Sequence, residues 1–311
     1  MAGDLSTAIE LSDGGDLQAS FVPGAGMICC SLRHRGQELL AQNSGVDAYA
    51  AEGRTMGIPL LYPWANRLAG FEYEVASRKV AVPHDPSRIA VDERGLPIHG
   101  VIGGRMPWEP AAAPAGEARS LAARLSWSEA RPELFEVFPF RHDLVYEARM
   151  DDGRLEIELT VHASGEDRVP LAFGFHPYLC LPGVPRERWL IELPAMRALA
   201  VDAQQIPTGS AREQGRQRFE LADRVFDDGF DGVAEPAAFA ACAADRAIRL
   251  ELIEGYPCGQ VFAPAGGQFI CFEPMTAPAN ALRSGTGLRL LEPGGRFRAR
   301  FSVGVADRPS S

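Results

Sequence analysis

Several features that would mark a metal, membrane or nucleotide-binding protein are missing from this 311-residue chain. No run of 18 or more apolar residues occurs, so a transmembrane helix is not expected. The six cysteines form no Cys-x-x-Cys pair, and Cys29 and Cys30 are adjacent, which suits neither a zinc site nor a disulfide framework. No stretch matches His-x-x-x-His, a phosphate loop, a dinucleotide fingerprint or a Gly-x-Ser-x-Gly elbow. The sequence therefore predicts free thiols and neither a metal nor a cofactor.

Positively charged residues are also fewer than negatively charged ones. Lys and Arg number 31 against 41 Asp and Glu, which gives a net charge of −10. Because the phosphates of nucleic acids and the surfaces of anionic membranes repel an acidic protein, neither is expected as a partner. The first residues lack the basic segment and apolar core of a secretory signal. Together with free thiols, this predicts a cytoplasmic location.

Long helical patterns are scarce, whereas alternation of apolar and polar residues is frequent. Residues 144–150 and 155–161 alternate, and the turn signal Asp-Asp-Gly at 151–153 lies between them, which predicts a β-hairpin. The same period occurs in three further segments: 121–127, 248–252 and 297–305. The 32 glycines and 24 prolines are spread between such segments. This pattern predicts an all-β sandwich or barrel of antiparallel sheets with few short helices.

No segment resembles an interdomain linker. Residues 110–116 are predicted to be a small-residue loop, and the Ala-rich residues 234–244 a connecting segment or a short helix. Strand-like alternation resumes on both sides of each. Residues 1–311 are therefore expected to form a single domain.

In three short segments, an ionisable residue lies directly before proline or glycine. They are residues 173–179 (Phe-Gly-Phe-His-Pro-Tyr-Leu), 96–100 (Leu-Pro-Ile-His-Gly) and 270–274 (Ile-Cys-Phe-Glu-Pro). Proline disfavours the helical conformation of the residue before it, so His176 is expected on a stiff extended segment. An unpaired carboxylate among apolar neighbours would be costly, which favours a functional Glu273. His176, His99 and Glu273 form a candidate acid–base set.

Residues 57–70 read Gly-Ile-Pro-Leu-Leu-Tyr-Pro-Trp-Ala-Asn-Arg-Leu-Ala-Gly. Together with residues 98–100, 176–178 and 272–274, this segment resembles the aldose 1-epimerases, or sugar mutarotases. The resemblance extends from about residue 24 to about residue 305, and four short motifs occur in the family's order. It implies a large antiparallel β-supersandwich of the galactose mutarotase-like type, a small-molecule sugar as substrate and no cofactor.

The resemblance also implies roles for individual residues. Glu273 matches the general base, His176 the general acid, and His99 a second active-site histidine near the ring oxygen of the sugar. The residues matched to substrate binding are Asn66, Arg67 and Asp227, with Trp64, Phe175 and Tyr178 as candidates for an apolar wall under the sugar ring. Asp228 and Asp231 lie close enough to be alternatives to Asp227.

The chemistry of mutarotation explains why these residue types suit the task. A sugar ring opens when the anomeric hydroxyl loses a proton and the ring oxygen gains one, so a base and an acid are expected on opposite sides of the sugar. The aldehyde then rotates, and the ring closes on its other face. A carboxylate supplies the base, and a protonated imidazole supplies the acid. Each such group is worth about 10²–10⁴-fold in rate.

Three other functions fit parts of the sequence. A hexose-6-phosphate 1-epimerase would need a cationic pocket, for which Arg33, Arg94 and Arg105 are available. A sugar-binding or sugar-sensing module could dispense with the acid or the base, yet both are present. A glycosidase could use Asp227 and Glu273 as a carboxylate pair, but it would leave the histidines without a role. A mutarotase acting on a free aldose is therefore the favoured prediction.

Overall fold

A computed structural model describes residues 5, 7–106, 108–111, 118–244 and 246–307. Strands dominate these residues, and every named pair of strands is antiparallel, so the predicted all-β fold with few short helices is confirmed. The helices within them are α1 (Gly45–Glu52), α2 (Pro132–Phe135), α3 (Ala281–Ser284) and 3-10 turns at Pro23–Ala25, Gly103–Arg105 and Arg186–Arg188. Among these residues, no helix is long and apolar enough to cross a bilayer.

One large sheet has nine strands, numbered here and below in chain order. From edge to edge they are β10 (Glu109–Pro110), β11 (Ser120–Trp127), β12 (His142–Asp151), β13 (Arg154–Ala163), β27 (Arg296–Asp307), β23 (Arg246–Glu254), β22 (Ala237–Cys242), β17 (Leu190–Leu193) and β20 (Gln217–Glu220). Apart from His142 on β12, the inward side chains of its long strands are apolar and buried, so this sheet supplies much of the main core.

A second large sheet has eight strands and carries the candidate site. Its path is β19 (Pro207–Gln214), β18 (Met196–Val201), β21 (Phe226–Asp231), β24 (Cys258–Ala263), β25 (Ile270–Met275), β15 (Gly174–Phe175) and β5 (Leu60–Leu61), with β16 (Tyr178–Leu179) also paired to β25. All six residues of β25 are buried. A strand buried on both faces can hold a charged group only where that group has a partner.

Four smaller sheets complete the described fold. The four-stranded one consists of β1 (Ile9–Ser12), β2 (Leu17–Val22), β3 (Ile28–His34) and β4 (Gln37–Glu38). The two-stranded ones are β6 (Glu72–Val75) with β7 (Arg78–Ala81), β8 (Ile89–Val91) with β9 (Pro97–Val101), and β14 (Val169–Leu171) with β26 (Arg289–Leu291). Of these strands, β9 matters most for the site because it carries His99.

The hairpin predicted from alternation is confirmed as β12 and β13. Asp151 pairs with Arg154, and Gly153 in the turn has a φ of 69°, a left-handed conformation that glycine adopts without strain. The other alternating segments lie in β11, β23 and β27, as expected. In each case, the apolar residues face the core, which is why a period of two was informative.

The Ala-rich segment was predicted wrongly as a connection or a short helix. Residues Ala237–Cys242 form β22, which pairs with β17 on one side and β23 on the other. Alanine favours helices, but this segment completes the hydrogen bonds of two neighbouring strands and buries Phe239 against the core. Tertiary contacts outweigh local propensity here. Of the predicted small-residue loop, residues 112–116 lie outside the described residues.

Candidate active site

Strand register brings His176 opposite Glu273. β25 pairs with the segments on both sides of Pro177. The flanking pairs are Gly174 with Met275 and Tyr178 with Cys271. Counting inward from either pair places position 176 across from position 273. The backbone N–H of His176 lies on the other side, toward β5, and donates to the carbonyl of Pro59 at 3.2 Å.

The two side chains meet directly. Nε2 of His176 lies 3.2 Å from Oε1 of Glu273, and both side chains are at least 95% buried. From the sequence, the acid and the base were expected on opposite sides of a sugar, whereas in the structure the two side chains lie side by side. Adjacent groups suit the reaction, because the anomeric hydroxyl and the ring oxygen are both bonded to the same carbon.

Burial sets the protonation of this pair. It lowers the pKa of His176 to about 3, with the backbone carbonyl of His176 itself acting in the opposite direction. It raises the pKa of Glu273 well above its usual range, and Asp227 raises it further while Arg67 lowers it. Both charged forms are therefore disfavoured, and the pair carries one proton and no net charge near neutral pH.

His99 lies edge-on to His176, with ring centroids 5.4 Å apart. Its backbone has a φ of 64°, and its Nδ1 accepts the backbone N–H of Asn66 at 3.2 Å. That bond assigns the proton of the neutral ring to Nε2. Burial lowers the pKa of His99 well below its usual range, and the neighbouring His176 and Arg67 act in the same direction. His99 therefore offers an N–H donor beside the acid–base pair.

Arg67 links three polar side chains at the edge of the site. Its Nε donates to Asp92 at 2.7 Å, one terminal nitrogen lies 3.5 Å from Asp227, and the other lies 3.3 Å from the side-chain oxygen of Asn66. Gln260 donates to the second oxygen of Asp227 at 2.7 Å. Gln260 is also the register partner of Glu273, so this network begins directly beside the pair.

Of the three candidate aspartates on β21, the structure brings Asp227 to the site. Asp231 is held by Arg197 through two hydrogen bonds of 2.8 and 2.7 Å. Asp228 is exposed, and strand alternation directs it to the other face of the sheet from Asp227. Although this side chain reaches solvent, partial desolvation by its neighbours, and secondarily the charge of Asp227, raise the pKa of Asp228.

The aromatic residues proposed as a sugar wall lie in different places. Trp64 is 1% exposed and belongs to the main core, as does Phe175, which packs against Phe301. Tyr178 stacks face to face on His176, with centroids 4.4 Å apart and planes 11° apart. The partly exposed aromatic ring beside His176 is that of Phe262, whose centroid is 5.8 Å away.

Sequence reasoning missed four residues of this region. They are Thr55, Asp92, Gln260 and Phe262. A signal existed for Gln260, which interrupts a strand of otherwise small and apolar residues from Cys258 to Ala263. No sequence signal marked Asp92 or Thr55, because their partners Arg67 and Tyr178 lie 25 and 123 residues away in the chain.

Among the described residues, the three arginines considered for a phosphate pocket bond to groups other than His176 and Glu273. Arg33 pairs with Glu38, Arg105 donates to a backbone carbonyl at Ser87, and Arg94 donates to the carbonyl of Ala203. Within the described part of the chain, no group of three or more His, Cys, Asp or Glu side chains is arranged to hold a metal ion.

Two concavities differ in their chemistry. A cavity of about 740 Å³ on the solvent face of the nine-stranded sheet is lined by paired charges, including Glu156 and Arg300. A smaller cleft on the eight-stranded sheet is lined by the polar residues Asn66, Gln205, Asp227 and Gln260 and otherwise mainly by apolar residues and glycine. Of the two, the smaller cleft shares Asn66, Asp227 and Gln260 with the network beside His176 and Glu273, whereas neither of these two side chains lines it. The candidate site, defined by the contact between His176 and Glu273, therefore lies next to this cleft.

Known proteins provide an independent comparison. A sequence profile of the family described as aldose 1-epimerase matches residues 7–304. The uncharacterized protein YihR of Escherichia coli K12 is 26% identical over 253 residues, which cover 78% of this chain and 77% of YihR. A galactose mutarotase-like protein of Clostridium acetobutylicum superposes with a TM-score of 0.81 at 15% identity, over 94% of each chain. A putative aldose 1-epimerase of Escherichia coli K12 gives 0.76 at 20% identity, over 97% of this chain and 99% of its own.

Proposed function

Because the chain belongs to the aldose 1-epimerase family and is therefore a carbohydrate epimerase, we propose that it interconverts the α and β anomers of a free aldose, with Glu273 as base and His176 as acid. The observation that carries this proposal is the 3.2 Å contact between His176 Nε2 and Glu273 Oε1. The pair holds one transferable proton and can accept another from a sugar, as ring opening requires.

In the proposed reaction, Glu273 and His176 each exchange one proton with the sugar and return to their starting states. In the form with the shared proton on His176, the carboxylate of Glu273 removes the proton of the anomeric hydroxyl while Nε2–H of His176 protonates the ring oxygen. The bond between the anomeric carbon and the ring oxygen breaks, and the aldehyde forms. After rotation about the bond to the next carbon, the new hydroxyl returns its proton to His176 as it attacks the aldehyde. Glu273 then protonates the aldehyde oxygen, and both groups are restored.

Two features suit this sequence of proton transfers. Oε2 of Glu273 is buried and has no hydrogen-bond partner among the described residues, which leaves it free to accept from the anomeric hydroxyl. The pair has no net charge whichever group holds the shared proton, and in the reactive form the imidazolium and the carboxylate stay in contact, so a buried site need not hold an isolated charge. His99, through its Nε2–H, is suited to donate to the ring oxygen or to a neighbouring hydroxyl.

The polar network favours an uncharged sugar. Arg67 is the cation nearest the pair in this network, and it already faces the carboxylates of Asp92 and Asp227. A phosphate would therefore meet a site whose positive charge is already compensated. Arg67, Asp227, Asn66 and Gln260 instead offer donors and acceptors that suit sugar hydroxyls. The proposal retains the predictions of a cytoplasmic protein that forms a single domain over residues 1–311 and needs no cofactor.

The test is the rate of exchange between anomers, measured by magnetisation-transfer NMR over a panel of free aldoses and hexose 6-phosphates. The wild-type protein should accelerate exchange for at least one free aldose, and Glu273→Gln should abolish the acceleration. Glu220→Gln, at an exposed position of β20, provides the matched control and should behave as wild type. Acceleration confined to phosphorylated sugars, or retained in Glu273→Gln, would refute the proposal.

A further inference from the structure

The imidazole of His176 lacks the hydrogen bond that usually orients a proton-transfer histidine. Such a ring is commonly fixed by a partner on the nitrogen that does not react. Here Nε2 faces Glu273, while Nδ1 is buried and has no partner among the other described residues. Apart from the weak interaction with its own backbone carbonyl, the ring plane must therefore be fixed by packing.

Three aromatic rings pack against His176, one of them face to face and two of them edge-on. The ring of Tyr178 lies flat against it, at a centroid distance of 4.4 Å and an angle of 11°. Phe262 and His99 approach edge-on at 73° and 86°. The edge contacts limit tilting, but only the stacked ring of Tyr178 matches the plane of the imidazole, so its orientation matters most.

Tyr178 is itself fixed by Thr55. The two side-chain hydroxyls are joined by a hydrogen bond of 2.5 Å. The backbone on both sides of this bond is also held: Asn43 donates to the carbonyl of Thr55 at 2.8 Å, and the N–H of Tyr178 donates to the carbonyl of Gly57 at 2.8 Å. These hydrogen bonds therefore hold Thr55, which follows helix α1, in a fixed position relative to Tyr178 on β16.

We propose that Thr55 is a positioning residue that holds the ring of Tyr178 flat on His176, and that this stack replaces the missing hydrogen bond at Nδ1. The proposal rests on the assignment of His176 as the acid. It gives Tyr178 a role beneath the imidazole in place of the sugar wall suggested by sequence. In the described part of the chain, Thr55 makes hydrogen bonds with Asn43 and Tyr178 and not with Arg67, Asp227 or Gln260, so its loss should affect turnover more than substrate affinity.

Four variants and one control variant test this role against wild type. Thr55→Val and Tyr178→Phe each remove the hydrogen bond and keep the shape, and kcat should fall roughly tenfold with KM within about twofold. The double variant should be no slower than the slower single variant, since both changes remove the same bond. Thr55→Ser keeps the hydroxyl and should retain kcat within about twofold. Thr160→Val, on β13 of the nine-stranded sheet, removes a hydroxyl bonded to Glu158 and should match wild type.

A structural readout separates this proposal from the proposed activity. The NMR order parameter of the His176 ring should fall in Thr55→Val and recover in Thr55→Ser, whether or not a substrate is known. Unchanged kcat and ring order in Thr55→Val, with melting temperature preserved, would overturn the positioning role, and so would additive losses in the double variant. Absence of anomer exchange in the wild-type protein would instead contradict the proposed function, and ring order would still decide whether Thr55 positions His176.

Discussion

Arg67 and Asp92 are joined by a hydrogen bond of 2.7 Å between two almost completely buried side chains, 9% and 3% exposed. The other oxygen of Asp92 accepts the backbone N–H groups of Arg94 and Leu96, both at 2.9 Å. Burial alone would raise the pKa of Asp92, but the N–H groups and the guanidinium of Arg67 outweigh it and lower the pKa. Asp92 is therefore an ionised, fixed anchor that orients Arg67 at the site.

The first prediction concerns this anchor. Asp92→Asn should raise KM for the sugar roughly tenfold with a smaller change in kcat, because Arg67 keeps its charge but loses its fixed orientation. Arg67→Ala should raise KM at least as much. Asp167→Asn provides the control, because it removes the carboxylate of an exposed pair with Arg78. Steady-state kinetics on the preferred aldose will decide, and an unchanged KM in both site variants would exclude Arg67 from sugar binding.

The second prediction concerns the acid and the base. Glu273→Gln and His176→Asn should each lower kcat by about 10²–10⁴-fold, because each removes a group that exchanges a proton with the sugar. Both replacements are close in shape to the original side chain, so circular dichroism spectra should match wild type. Near wild-type turnover in either folded variant would show that the remaining residue suffices or that the reaction uses other groups.

Local patterns predicted the strands, and marked the residues that we propose as acid and base, because the relevant signals lie within a few positions. Alternation marked β11, β12, β13, β23 and β27, and the His-Pro and Glu-Pro motifs marked His176 and Glu273. The Ala-rich β22 was missed because its strand pairing depends on β17 and β23, which are distant in sequence. Local propensity cannot report such pairing.

The network around the acid–base pair was harder to predict than the pair. Arg67 and Asp227 are 160 residues apart, and Thr55 and Tyr178 are 123 apart, so no spacing rule connects them. Trp64 looked like a sugar-facing aromatic residue within a family motif, yet its side chain is enclosed by the core. In an irregular segment, the direction of a side chain depends on the sheet against which the segment packs. Residues 62–66 are irregular, so no alternation in their sequence shows which side chains face the core.

The third prediction concerns acid stability through His142. This fully buried ring donates from Nδ1 to the carbonyl of Phe140 at 2.7 Å and accepts the hydroxyl of Tyr62 on Nε2 at 2.6 Å. Burial lowers its pKa to about 4. As pH falls below about 6.5, the unfolded chain binds a proton at this position before the folded protein does, so folding stability decreases.

The stability contributed by neutral His142 is thus complete above about pH 6.5 and is lost between about pH 6.5 and 4, to the extent of about 3 kcal/mol. Urea unfolding at pH 7 and pH 4.5 should show a smaller difference for His142→Gln than for wild type, although the variant is less stable at pH 7. Equal differences for both proteins, or an NMR titration with His142 protonating above pH 6, would contradict this account.

The last prediction uses two glycines that share a backbone conformation but differ in surroundings. Gly100 has a φ of 73°, and a Cβ there would lie 2.1 Å from the carbonyl oxygen of Tyr62, the same oxygen that accepts the N–H of Val101. Gly183 has a φ of 78° with nothing within 4 Å of its Cβ position. Alanine should cost about 1–2 kcal/mol at either position through its left-handed backbone.

Only Gly100→Ala adds a collision with backbone that cannot move without breaking its hydrogen bond. It should therefore lower the unfolding free energy by at least about 3 kcal/mol, against about 1 kcal/mol for Gly183→Ala. Because His99 precedes Gly100, folded Gly100→Ala protein should also lose activity, whereas Gly183→Ala should not. Equal stability losses would mean that β9 can shift away from Tyr62, and retained activity would then show that the position of His99 tolerates that shift.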